Sequence, residues 1–275
     1  MRIELAKRLN EKIFYGWSIV FAAGLLTFFG TGFFSYTRGF FLPELAEALD
    51  GGNRFFISLG FSLATMTGAL ISPAVGRYLD QGSPKKIIFL GIVVNSFFYL
   101  VLSQASSLLA FYIAVSIGLG VGMICMGGFT HHRAIINWFD QWRGRAVSVA
   151  VLGASLAGVA MPPVVESLIT NYGWQTTYQV FALVLILGLS PVVWLFFIDQ
   201  PEEIKEVRDG RQYATTNSQP QELFERDNRV WSFKELVKNP AFWSIGLIFG
   251  TMLSIWSAVM LHLVGHLRDI GLETV

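Results

Sequence analysis

Long apolar stretches separated by shorter polar ones dominate the chain. Charges and turn residues divide it into apolar segments near residues 14–37, 55–76, 87–103, 108–132, 146–168, 178–198 and 240–264. A helix needs about 20 apolar residues to cross the hydrocarbon core of a bilayer. The pattern therefore predicts an all-α polytopic membrane protein with seven transmembrane helices.

One polar stretch is much longer than the others and divides the predicted helices into two groups. Residues 1–198 are expected to form a six-helix transmembrane bundle, and residues 240–275 to hold the first helix of a second bundle. The stretch between them, residues 199–239, is rich in Glu, Arg, Gln and Asn. This composition predicts a solvated cytoplasmic linker, with a short amphipathic helix near Phe233–Val237.

The basic residues predict the orientation of the helices. If the N-terminus is cytoplasmic, all of the 20 Lys and Arg residues except Arg38, Arg54 and Arg268 fall on the cytoplasmic side. Cytoplasmic loops of membrane proteins carry an excess of Lys and Arg. We therefore expect a cytoplasmic N-terminus in a multi-pass protein of the plasma membrane, which in a bacterium is the inner membrane.

Composition supports the lipid bilayer as the solvent and excludes several classes of protein. The chain is 53% hydrophobic and 14% charged, with a mean hydropathy of +0.53, whereas about a quarter of the residues in soluble proteins are charged. A net charge of +1 argues against nucleic acid as a partner. The single cysteine, Cys125, excludes an intrachain disulfide framework. We find no enzyme signature and no metal-ligand spacing, and expect neither catalysis nor a cofactor.

The loop after the second apolar segment carries a recognisable spacing of residues. Its positions, in chain order, are Gly76, Asp80, Gly82, Pro84, Lys85 and Lys86. They resemble the signature loop of the major facilitator superfamily, except that Gln81 and Ser83 stand where that loop usually has Arg and Gly. The resemblance implies a gate. In such a gate Gly76 allows close helix approach, and Asp80 accepts hydrogen bonds from helix N-termini or arginines.

Further motifs resemble the branch of that superfamily with the monocarboxylate porters and the oxalate/formate antiporters. They are Tyr15-Gly16-Trp17, Phe41-Leu42-Pro43, Trp138–Ala146, Pro162-Pro163, Gly173-Trp174 and His262–His266. The resemblance adds Arg143 to the gate and implies a carrier of twelve helices. Seven of these helices would be present, and the C-terminal half of the transporter would be missing from the chain.

Polar residues inside the first segment predict a substrate site. Thr31, Ser35 and Arg38 recur at helical spacing and share one face, with Tyr36 beside them. Polar groups inside a bilayer are costly and usually functional, so this face is expected to line a cavity. The alternative for Arg38 is an interfacial arginine whose side chain reaches the membrane surface.

Three more polar residues are candidates for function. Arg133, on the fourth segment, is expected to bind substrate together with Arg38, or else to be only a positive charge on the cytoplasmic flank. His262 shares a face with hydroxyl groups on the seventh segment and is expected to bind substrate, unless it is a packed residue. Glu166 is the candidate for proton coupling; the alternatives are a basic partner or water at the outer end of its helix.

The motifs and the polar positions together predict a secondary transporter that moves a small organic anion, a mono- or dicarboxylate, by alternating access. Protons or an exchanged anion would drive it. Two alternatives stay open. One is the export of a drug-like or amphipathic compound, and the other is a transport-dead membrane sensor with the same fold.

Overall fold

A computed structural model describes residues 14–50, 53–204, 206–210 and 233–271. Within these ranges the chain forms helices and turns and no strand. Six of its segments are long and apolar enough to cross a bilayer. The predicted all-α membrane fold is therefore confirmed.

The membrane-length helices are numbered in chain order. The first, α1, comprises Gly16–Thr31, a π-helical turn at Gly32–Tyr36 and a continuation at Arg38–Asp50. It is followed by α2 (Arg54–Gln81), by α3 (Pro84–Ser103), and by α4, which joins Leu108–Ile113, Ala114–Val121, Gly122–Met126 and Gly128–Trp138. The next two helices are α5 (143–172) and α6 (174–196), which comprise the helical segments Arg143–Leu183, Val184–Leu189 and Ser190–Phe196. After short 3₁₀ turns at Pro201–Ile204 and Arg208–Gly210 and a short helix at Phe233–Lys238, the last is α7 (Pro240–Asp269).

The segment that contains α5 and α6 reverses its direction at Gly173. This glycine has φ +81° and ψ 162°, a conformation that side chains disfavour. On α5, Gly153 faces Gly24 and Met161 faces Gly32, so α5 runs parallel to α1.

The contacts of α6 show the opposite direction. Its residues Tyr178 and Phe181 stack on Phe41 and Phe33 of α1. At the far end of α6 the hydroxyl of Tyr15 donates to the carbonyl oxygen of Phe196 at 3.0 Å. Because α6 is antiparallel to α1 and α5 is parallel to it, this segment crosses the bundle twice, and the described chain crosses it seven times.

Local sequence signals explain where several helices begin. A side-chain oxygen accepts a hydrogen bond from the first turn of four helices, and the capping residues are Asn53, Ser83, Ser107 and Asn239. Such caps satisfy backbone N–H groups that have no partner within the helix. Proline follows two of them, Ser83 and Asn239, at a position where its missing N–H costs nothing.

Small residues bring α5 into close contact with α1. The buried positions include Ala146, Ala150, Gly153 and Ala157. A Cβ atom added to Gly153 would lie 2.2 Å from the carbonyl oxygen of Gly24, so no larger residue fits without moving the backbones. Small residues allow such close packing of helices in membranes.

The described residues of the predicted linker, 199–204 and 206–210, include packed residues as well as exposed ones. The indole of Trp138 donates to the carbonyl oxygen of Ile198 at 2.8 Å, and Pro201 and Ile204 are buried. The carboxylate of Asp209 accepts from the backbone N–H of Gln141 at 2.9 Å. Residues 211–232 lie outside the described ranges, and the helix predicted near Phe233–Val237 is present.

The bundle has two ends, the Arg54 end and the Asp80 end. At the Arg54 end, α1 and α7 end and α2 begins. At the Asp80 end, α2, α4 and α6 end and α3 and α7 begin. The buried residues of α7 are Leu261, Val264 and Gly265, which all lie towards the Arg54 end. This helix therefore packs against α1 and α2 mainly at the Arg54 end.

Candidate functional site

The candidate site begins at Arg38, directly after an irregular turn of α1. Five residues, Gly32–Tyr36, form a π-helical turn, and the hydroxyl of Thr37 donates to the carbonyl oxygen of Phe33 at 2.8 Å. Turns of this kind are frequent at functional sites and shift the register of the residues that follow. Arg38, the second residue after this turn, is only 5% exposed.

The guanidinium of Arg38 is held on one edge and has a buried polar atom without a described partner on another. Its Nη2 donates to the carbonyl oxygen of Ser257 at 2.8 Å and to the hydroxyl of the same residue at 2.7 Å. The ring of Phe34 lies 5.6 Å from the guanidinium carbon. The Nε atom is buried and has no hydrogen-bond partner among the described residues. Because buried donors are normally paired, this unpaired Nε marks Arg38 as a side chain that lacks one acceptor.

A cavity of about 470 Å³ lies beside Arg38, between α2 and α7. Its polar lining consists of Arg38, Ser58, Ser62, Thr65, Ser254, Ser257 and His262. Among the described residues that line it none is acidic, and the others are apolar residues such as Phe61 and Leu261. A cavity with one cation, several hydroxyls and an apolar wall suits a small organic molecule with a negative charge.

The structure brings only two of the predicted substrate residues into this cavity, Arg38 and His262. Thr31, Ser35 and Tyr36 are not among its lining residues. Tyr36 packs instead against Trp256, with 6.0 Å between the ring centroids. A regular helix would have kept Thr31 and Ser35 on the face of Arg38, and the π-helical turn at Gly32–Tyr36 removes that alignment.

A second cavity, of about 440 Å³, lies at the Asp80 end. It is lined by Gly76, Leu79, Asp80, Phe129, His132, Arg133 and Ile136. The structure thus brings Arg133 to the predicted gate residues Gly76 and Asp80 and not to Arg38. Asp80 is exposed and forms no ion pair with another described residue.

The remaining gate residues are held by separate partners. The ammonium group of Lys85 is buried, donates to the carbonyl oxygen of Trp194 at 2.8 Å and lies 4.6 Å from the ring centroid. Lys86 is exposed. Arg143 pairs with Asp140 at 3.0 Å, three residues earlier in the chain. The predicted gate is therefore a set of local contacts and not one cluster of charges.

Glu166 lies among ion pairs at the Arg54 end. Its carboxylate is 3.6 Å from the guanidinium of Arg268, which is also 3.7 Å from the carboxylate of Glu44. Nearby, Arg54 and Asp269 form two hydrogen bonds, at 2.6 Å and 3.0 Å. These pairs connect α7 with α1, α2 and α5.

Comparison with known proteins identifies the family. Residues 11–274 match the Major Facilitator Superfamily. This chain belongs to that superfamily. Its members are transporters and not enzymes, and the chain is a multi-pass integral membrane protein.

Several relatives within the superfamily are similar to this chain over part of their length. The uncharacterised MFS-type transporter YcxA of Bacillus subtilis is 29% identical over 68% of this chain and 47% of its own length. Monocarboxylate transporter 13 of Rattus norvegicus is 26% identical over 64% of this chain and 39% of its own. The galacturonate transporter of Dickeya chrysanthemi is 28% identical over 42% of this chain and 33% of its own. The chain therefore spans less than half of each of these superfamily relatives.

The sequence of this superfamily member contains a further signal for the cavity, in α2. Ser58, Ser62 and Thr65 are spaced by four and three residues along α2, so they form a polar stripe on an apolar helix. Each of their hydroxyls donates to a backbone carbonyl four residues earlier. The stripe marks the α2 wall of the cavity.

Proposed function

We propose that this chain forms the first part of a secondary transporter that carries a small organic anion with a carboxylate group. The observation that carries the proposal is the buried Arg38. Among the described residues its Nε has no partner, and none of those that line its cavity is acidic. An unpaired charge inside a membrane protein is costly. A carboxylate in the cavity lowers that cost and accepts two parallel hydrogen bonds from guanidinium.

The names of two relatives support a carboxylate as the substrate. One is named a monocarboxylate transporter and the other a galacturonate transporter, after the anion of a sugar acid. We infer that the substrates of this chain resemble monocarboxylates and galacturonate in charge. The cavity of about 470 Å³ accommodates molecules of the size of these anions.

Transport in this proposal follows alternating access between two bundles. Residues 1–198 form the first bundle, the segment 199–239 connects it, and α7 within residues 240–275 begins the second. Gly76 and Asp80 form a latch at the Asp80 end, with Lys85, Lys86 and Arg143 around it. Arg133 lines the same cavity as Asp80 and binds the anion at that end.

We further propose that the Asp80 end is cytoplasmic and that the protein lies in the plasma membrane. The distribution of Lys and Arg supports this orientation. A cysteine placed at Tyr172, which is exposed near the Arg54 end, tests it. A reagent that cannot cross membranes should label this cysteine from outside intact cells, and labelling only after permeabilisation contradicts the orientation.

The test of the proposed site is carboxylate binding to the complete purified transporter. Lactate, oxalate and galacturonate are titrated against the parent, Arg38→Lys, Arg38→Gln and the control Arg145→Gln. Arg145 is exposed and stacks on Trp142 outside the cavity. We expect Arg38→Gln to lose affinity by about tenfold or more, because a hydrogen-bonded charge pair is lost.

The lysine variant separates the two explanations for Arg38. Lysine keeps the charge and loses the planar fork of guanidinium, so Arg38→Lys should bind more weakly than the parent and more tightly than Arg38→Gln. Arg145→Gln should bind like the parent. If both Arg38 variants bind the three carboxylates with unchanged affinity, Arg38 is only an interfacial anchor and the proposed site is wrong.

A further inference from the structure

We propose that Ser257 acts as a substitute acceptor for Arg38 that holds α7 against α1 until an anion binds, so that the transporter exchanges anions much faster than it releases them one way. This inference rests on the proposed function and adds how anion binding is coupled to the movement of α7 away from α1. It assigns to Ser257 a role in movement and not in recognition.

The first observation is that Ser257 supplies two acceptors to one nitrogen of Arg38. The backbone oxygen and the hydroxyl oxygen lie 2.8 Å and 2.7 Å from Nη2. A carboxylate that binds guanidinium through two oxygens uses the same kind of donors. Ser257 and the anion therefore compete for Arg38.

The second observation is that this contact joins the two groups of helices that must separate. Arg38 belongs to α1 and Ser257 to α7. The backbones meet at the next residue, Gly39, where an added Cβ would lie 2.8 Å from the carbonyl oxygen of Met260. Opening the Arg54 end moves α7 away from α1, and Nη2 then loses both of its acceptors.

The consequence for an unloaded carrier follows from the cost of a buried charge. Nε of Arg38 is already buried without a partner. Separation of α7 would leave Nη2 in the same condition until water reaches the cavity, which raises the barrier. A bound carboxylate supplies acceptors that stay with Arg38 when Ser257 moves away. The loaded carrier therefore changes conformation over a lower barrier.

Exchange and one-way flux can be compared in proteoliposomes that contain the complete transporter. Vesicles are loaded with radiolabelled lactate, oxalate or galacturonate, whichever the parent binds most tightly. Efflux is measured into buffer with the same unlabelled anion and into buffer without it. We expect the parent to exchange at least about tenfold faster than it releases the anion one way, the factor expected when hydrogen bonds to a charged group are lost.

Two variants of the contact should lower the ratio of exchange to one-way release by about fivefold. Ser257→Ala removes the hydroxyl, and the loss is only partial because the backbone oxygen of Ser257 can still accept. Gly39→Ala moves α1 away from α7 while Arg38 and Ser257 both remain. Ser257→Thr keeps a hydroxyl and should keep the ratio. Ser244→Ala is the control, because Ser244 lies on the same helix, is exposed and bonds only its own helix at Pro240.

Binding provides a second readout that distinguishes competition from simple damage. Because Ser257 competes with the anion, Ser257→Ala should bind the anion a few times more tightly, whereas a variant that damages the site binds it more weakly. The inference is overturned if Ser257→Ala and Gly39→Ala keep the parental ratio, or if the parent releases the anion one way as fast as it exchanges it. Such a result leaves the proposed function intact if Arg38→Gln loses carboxylate binding. The proposed function itself is contradicted if Arg38→Gln binds carboxylates like the parent.

Discussion

At the scale of the residue, two charges have different environments and different roles in our proposal. Arg38 is buried and bonded to Ser257 across two helices. Asp80 is exposed, lines a cavity with Arg133 and has no ion partner among the described residues. The first environment favours recognition of an anion. The second favours a contact that forms in only one of two conformations, as a latch requires.

The latch can be tested with Asp80→Asn in the complete transporter, because this change removes the charge and keeps the shape. We expect carboxylate affinity like that of the parent and turnover that is lower by about threefold to fivefold, as for the loss of one exposed charge contact. The measurements are binding of lactate, oxalate or galacturonate and initial rates of exchange. Glu202→Gln is the control, because Glu202 is exposed at the same end and does not belong to the gate. A parental exchange rate for Asp80→Asn would show that Asp80 is not a latch.

The sequence identified Arg38 because a charge that interrupts an apolar segment is visible without a structure. It did not identify Ser257, since a serine on an apolar helix is common and its partner lies 219 positions away. It also assigned Thr31 and Ser35 to the face of Arg38, which assumed a regular helix. Helical spacing contains no information about a π-helical turn, so that part of the site required the structure.

At the scale of the element, α7 is held at its end by charged side chains. Arg54 of α2 forms two hydrogen bonds with Asp269, and Arg268 lies within 4 Å of Glu44 and Glu166. Along the rest of α7 most side chains are exposed. We expect the charged contacts to close the Arg54 end of the cavity and to break when that end opens.

A charge reversal and a swap test this closure. Ser58 lies in the cavity one turn after Arg54, so a cysteine at this position reports access from the Arg54 end, and the single native Cys125 is buried. Arg54→Asp or Asp269→Arg should speed its labelling by an impermeant maleimide because like charges then face each other. The double swap should return the rate towards that of the parent.

High salt provides an independent check of the same pairs. Both partners are partly exposed, with 37% and 55% of their side chains accessible, and salt screens such charges. The labelling rate of the parent should rise with ionic strength, and that of the single reversals should change less. If both single reversals label at the parental rate, the ion pairs do not close the cavity.

The helices themselves were largely predictable, since the length of an apolar segment is fixed by the thickness of a bilayer. The reversal between α5 and α6 was also visible, because Asn171, Tyr172 and Gly173 interrupt the apolar pattern at the site of the positive φ. The packing of residues 199–204 and 206–210 was not predictable. Their composition is polar, and the partners of Asp199 and Asp209 lie far away in the chain. Asp199 accepts from the hydroxyl of Ser83 and the backbone N–H of Lys85, and Asp209 accepts from the backbone N–H of Gln141.

At the scale of the whole molecule, the described residues of this superfamily member form the seven helices α1–α7. The cavity at Arg38 lies between α2 and α7. Its position explains how one side chain can both bind an anion and connect the elements that move. The central claim is that the negative charge of a carboxylate, and not its size or apolar surface, selects the substrate.

The most direct test of this claim is counterflow in proteoliposomes that contain the complete transporter. The vesicles are loaded with unlabelled lactate, oxalate or galacturonate, and the uptake of the same radiolabelled anion is measured. The competitors are the unlabelled acid and its neutral amide, which is matched in size. We predict counterflow that the acid inhibits and the amide does not. Equal inhibition by the amide, or counterflow of an organic cation with none of the three acids, would contradict the account.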